Sequence, residues 1–113
     1  MDETKKAAIS HMVDLIISQA NILNGFLKFK QIGETQGAQA MKDTFLKNSA
    51  LVVFMSTVFK FEESEVEAVI GEFLEDKDEK FKEIFIYQYG IVANQMMPPD
   101  MRNPKIPVVD LCL

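Results

Sequence analysis

The chain has 113 residues, 48% of them apolar and 26% charged, with a formal net charge of −5. That length and balance describe one globular domain able to bury its own core, and exclude a disordered chain. A single cysteine, Cys112, excludes an internal disulfide, and the longest fully apolar run, Ala50 to Met55, excludes a helical membrane span of roughly 18 residues.

The first element is predicted from about Thr4 to Ile32. Ile9, Val13, Ile16, Ala20, Leu23 and Leu27 step by three or four, which places them on one helical face. Met12, Leu15, Ile22, Phe26 and Phe29 widen that face beyond a single stripe. Two readings stand: a pair of helices kinked near Asn21–Gly25, or one helix of about 40 Å. The single long helix would carry more apolar surface than a small domain needs, and another subunit would cover the excess.

Two glycines in five residues, Gly33 and Gly37, with polar side chains between them, predict a stop and a turn. A second helix is expected from about Ala38 to Phe59, with Met41, Phe45, Val52, Met55 and Phe59 on one face. Its centre, Ala50 to Met55, is apolar all round, so it is expected to be the most buried helix.

A third helix follows from the Ser64–Glu67 spacing, which matches a capping box, and from the stripe Val66, Val69, Ile70, Phe73 and Leu74. Acids in its first turn complement the helix dipole. Asp76–Asp78 break the pattern, and Asp78 is placed to cap a fourth helix with Phe81, Phe85, Val92 and Met96 inward. The run Ile84 to Tyr89 is rich in strand formers, so strand remains the alternative for residues 81–97.

Pro98, Pro99, Pro104 and Pro107 end the helical part. The expected organisation is all-α: about four helices over residues 1–97, in a small bundle or two helical hairpins, then an extended tail over 98–113. Five of the last six residues are apolar, and an extended backbone would put Val109, Leu111 and Leu113 on one side. Leaving Leu111 and Leu113 in water would forgo about 1.5–3 kcal/mol each. The tail is therefore expected to dock on its own core or on another chain.

Catalytic motifs are missing. One histidine, His11, and one cysteine at opposite ends supply no close pair of zinc ligands. Asp76 and Asp78 start like a calcium loop, but Phe81 and Tyr87 stand where its glycine and closing glutamate belong. The five glycines fit no phosphate-binding loop, and no base is paired with a nucleophile. The expectation is a non-enzymatic protein with no metal and no cofactor. The Met-Asp-Glu-Thr-Lys-Lys start has no apolar run behind it, so no leader is expected, and the cytoplasm (of a host, for a viral protein) is the expected compartment.

Charge is unevenly placed. Between Glu62 and Glu83 ten acids face three lysines, whereas the first 61 residues hold seven lysines and five acids. No basic stripe with interleaved aromatics occurs, so direct nucleic-acid binding and membrane binding are not expected. Two segments are candidates for binding a protein partner. One is the acidic start of the third helix, Glu62, Glu63, Glu65 and Glu67, which could steer a basic surface. The other is the tail, through Val108, Val109, Asp110, Leu111 and Leu113.

The expected function is protein binding, as a small adaptor, assembly chaperone or regulatory subunit, with self-association through the first helix. The ending Val108-Val-Asp-Leu-Cys-Leu113 also resembles the short hydrophobic–acidic tails by which viral late-transcription coactivators and replication proteins grip sliding clamps. That resemblance covers six residues, without the aromatic side chain common in such tails. It implies the alternative: a viral or mobile-element regulator, either a coactivator docking by its tail or an acidic inhibitor imitating nucleic acid.

Overall fold

A computed structural model describes all residues, Met1–Leu113. It is all-α, with four helices and no strand: α1 (Glu3–Gln31), α2 (Thr35–Phe59), α3 (Glu63–Leu74) and α4 (Glu79–Met96), followed by a 3-10 turn at Pro99–Met101. The segment with strand-like composition, Ile84 to Tyr89, lies inside α4. No helix is long and apolar enough to cross a membrane.

The first element is one continuous helix of 29 residues, so the kink near Asn21–Gly25 does not occur. At 1.5 Å per residue it spans about 43 Å and accounts for the 46 Å long axis of the molecule. Asp2 caps it, its carboxylate accepting from the Lys5 N–H at 2.7 Å. It ends in a Schellman turn: the Gly33 N–H donates to the Lys30 carbonyl, and the Glu34 N–H to the Phe29 carbonyl. Gly33, at φ +75°, supplies the left-handed residue this turn requires.

The wide apolar face of α1 is covered from within the chain. α2 packs antiparallel along it, and α3 and α4 make their main contacts with it as well. Its buried positions Ile9, Met12, Ile16, Gln19, Leu23 and Phe26 alternate steps of three and four, a seven-residue repeat that suits two helices lying side by side. α2 answers with Ala38, Phe45, Val52 and Met55. Tight approach near the turn depends on glycine. A Cβ on Gly37 would stand 2.7 Å from the Phe29 ring, and one on Gly25 3.1 Å from the Met41 sulfur.

Three expectations are corrected. α2 begins at Thr35, three residues early, with Gly37 inside it. α2 is not the most buried helix. Within its apolar centre only Val52 and Met55 are buried, while Leu51, Val53 and Phe54 are exposed, because α1 covers one face only. The third helix starts before Ser64: Glu62 is the N-cap, and the Glu65 carboxylate accepts from its backbone N–H at 3.1 Å. A carboxylate at the cap serves that geometry as Ser64 would have done. Asp78 does cap α4, accepting from the Phe81 N–H at 2.8 Å.

Two core clusters share α1. One joins Met12, Ile16 and Leu23 to Phe45, Val52, Met55 and Val92. The other joins Ile9 and Val13 to Val69, Leu74 and Phe85. Phe73 and Phe81 lie at its edge, each with its ring against Phe85, and both stay partly exposed.

Candidate protein-binding surfaces

Acids on α3 are divided between internal and outward work. Lys5 pairs with Glu65 and Lys6 with Glu72, both at 2.8 Å, so two neighbouring lysines of α1 hold the first and last turns of α3. Hydrogen bonding to Lys5, reinforced by the Glu62 N–H, holds the Glu65 carboxyl below the usual range. The bond to Glu72 likewise raises Lys6. Of the four acids singled out in the sequence, Glu65 is thus committed to the fold. Glu62 is engaged as well, as the N-cap of α3, and Glu63 and Glu67 are exposed to solvent.

Glu67 stands at one end of a groove between α3 and α4. Ile70, Gly71, Leu74, Phe85, Ile86 and Tyr89 line the rest, enclosing about 350 Å³ with almost no polar surface. A Cβ on Gly71 would meet nothing within 4 Å. The groove exists partly because that side chain is absent. Burial against the two core clusters raises the Tyr89 phenol.

The tail folds back onto its own chain. At the end of α4 two consecutive amides each grip a backbone residue. Asn94 Oδ1 accepts from the Asn103 N–H at 2.8 Å, and its Nδ2 donates to the Asn103 carbonyl at 3.4 Å. Gln95 Oε1 accepts from the Val109 N–H at 2.7 Å, and its Nε2 donates to the Val109 carbonyl at 3.1 Å. The Arg102 guanidinium donates to the Gln95 and Met97 carbonyls, closing the end of α4. Lys30 Nζ donates to the Asp110 carbonyl at 3.3 Å.

Val109 and Leu111 accordingly pack on the α1–α2 core cluster. Val108 and Leu113 stay half exposed, at 50% and 53%, so Leu113 does not share the buried side with Val109 and Leu111. The Asp110 carboxylate accepts from the Cys112 N–H at 3.0 Å. That bond leads in holding its pKa low, with Lys30 adding to it.

A further surface escaped the sequence reading: the outer face of α2. Residues 48–59 carry no charge, and Leu46, Leu51, Val53, Phe54 and Val58 are exposed there. Gln19, Asn94 and Gln95 were also missed, although all three are buried polar side chains. For Gln19 the signal was its place in the seven-residue repeat of α1. His11 and Cys112 lie on the surface, and no three His, Cys, Asp or Glu side chains gather as metal ligands. Compared with protein-family models, curated proteins and solved structures, the chain matches none of them.

Proposed function

We propose that this chain is a non-enzymatic protein-binding protein, a small adaptor, assembly chaperone or regulatory subunit, which takes an amphipathic helix or peptide with basic flanks into its α3–α4 groove. The observation that carries this reading is an open apolar groove set inside the most acidic part of the chain. Ile70, Leu74, Phe85, Ile86 and Tyr89 offer apolar contact, while Glu67, Glu63 and their neighbours supply a negative border. Apolar contact supplies affinity, and the border steers a basic partner and selects against acidic ones.

Peptide selection against the full chain tests it. Selected peptides should share an apolar i, i+4 face flanked by Lys or Arg, and should shift the amide resonances of Ile70, Ile86 and Tyr89. Gly71→Leu, which adds a bulky side chain to the lining of the groove, should abolish their binding. Glu67→Lys should weaken it about tenfold and flatten its salt dependence. Peptides without basic flanks, or peptides that bind Gly71→Leu unchanged, would overturn the proposal.

A second reading is favoured by the half-exposed Val108 and Leu113 at the end of a tail held mainly through backbone. The tail would peel from Gln95 and dock in trans, as the likeness to clamp-gripping tails implies. Deleting residues 105–113 separates the two readings, because groove binding survives the deletion and tail docking does not.

A further inference from the structure

The outer face of α2 is an unpartnered apolar surface on the side of the molecule away from its acids. Leu46, Ala50, Val53, Phe54, Thr57 and Val58 recur at helical spacing, opposite the Phe45, Val52 and Met55 that face α1. Phe54 is 63% exposed, Val53 60% and Val58 55%. With Leu46 and Leu51 these side chains leave on the order of 500 Å² of apolar surface in water, in the upper part of the range for the largest patch on a monomer, and such patches are often functional. We propose that two copies of this chain associate through this face, α2 against α2 and antiparallel, about a two-fold axis near Val53.

Charge selects a second copy as the occupant. In a two-fold contact the same patch meets itself, so a strip carrying one sign of charge would meet like charge. Residues 48–59 have no charged side chain at all. The acidic segment belongs to α3 and α4, which pack on α1, so two copies can meet at α2 without bringing their acids together.

Area agrees with this choice. Two such faces would remove about 1,000 Å² from water, the lower bound for a specific interface. Small residues at the centre, Ala50 and Thr57, let two helix backbones come close. Antiparallel pairing sets the two helix dipoles in opposition.

The experiment is sedimentation equilibrium of the full chain from about 1 to 200 μM, with Val53→Glu and Phe54→Ser in parallel. Wild type is expected at twice the 12.8 kDa chain mass, with both variants at the single-chain mass or at least tenfold weaker in association. Circular dichroism checks folding, and because Val53 and Phe54 are exposed both variants should keep the wild-type helix signal. If Val53→Glu alone unfolds, Phe54→Ser carries the comparison. A wild-type monomer throughout the range, or a dimer indifferent to both face variants, overturns the proposal.

Discussion

Gln95 and Val109 exchange two hydrogen bonds, at 2.7 and 3.1 Å, in which a side-chain amide does for the tail what a neighbouring strand would do. The polar groups of one tail residue are thereby satisfied by a single side chain of α4, with no neighbouring strand. This pins Val109 where its side chain can reach the core.

Replacing that amide should free the tail without melting the helices. Gln95→Leu keeps the side chain's bulk and removes both bonds, with an expected loss of about 1–2 kcal/mol in chemical denaturation. The Val109 amide should lose its hydrogen-exchange protection while Val52 and Val92 keep theirs. Continued protection of Val109 would show that Leu111 and Lys30 suffice to hold the tail.

Gln19 is wholly buried and sets the register of the α1–α2 pair. Its amide donates to the Phe45 carbonyl at 2.9 Å and to Ser49 Oγ at 3.2 Å, and accepts from Asn48 Nδ2 at 3.2 Å. Gln19→Leu should change stability by less than about 1 kcal/mol, because Ser49 still donates to the Phe45 carbonyl. Gln19→Glu places a charge there with no cation beside it and should cost more than about 2 kcal/mol at neutral pH. Equal thermal midpoints for the two variants would refute the difference.

Two helical glycines should respond with opposite signs. Gly71→Ala enters open space and removes an unfavourable glycine from a helix interior, so it should stabilise by about 0.5–1 kcal/mol. Gly37→Ala drives a methyl against the Phe29 ring, and overpacking should outweigh the propensity gain, for a net loss near 1 kcal/mol. Urea midpoints measure both. A stabilised Gly37→Ala would mean that the ring moves aside freely.

Lys60 ends α2 in the left-handed region, at φ 53° and ψ 54°, where an L side chain is strained. Lys60→Gly relieves this and should raise stability by about 0.5–1 kcal/mol, after allowing for the looser unfolded chain. An unchanged or lowered melting temperature would contradict that account.

The clasp of α3 on α1 should be pH-dependent at both ends. The Glu65 pKa is lower folded than unfolded, so its contribution is present above the ordinary carboxylate range and is lost as pH falls through the folded value, below about pH 4. Lys6 is raised, so its contribution is present below the ordinary lysine value and is lost as pH rises through the folded one, above about pH 10. Thermal midpoints across pH should fall at both extremes. Lys5→Met should flatten the acid side and Lys6→Met the alkaline side. Slopes unchanged in these variants would place the dependence on other groups.

Local patterns were enough to specify the helices. The three-and-four spacing on α1, the acids at the start of α3, the Asp78 cap and the proline cluster after Met96 act over a turn or two of chain. Capping was legible in kind but not in place. Several residues in the run Phe61 to Ser64 could serve as a cap, and packing of Val69 and Leu74 on α1 decides the register.

Sequence patterns alone pointed to a helical chain, with strand left open for residues 81–97, located its breaks to within a few residues, and gathered its acidity between Glu62 and Glu83. Which apolar face meets water was settled by packing between the helices. The uniformly apolar centre of α2 held no information about this, because a helix is covered only on the sides where other helices fit, and α1 takes just one of them. The same holds for Gln19, Asn94 and Gln95. A polar side chain is read as exposed from sequence, yet each of these is buried against a backbone or side-chain partner at least nine positions away, and only the folded chain brings them together.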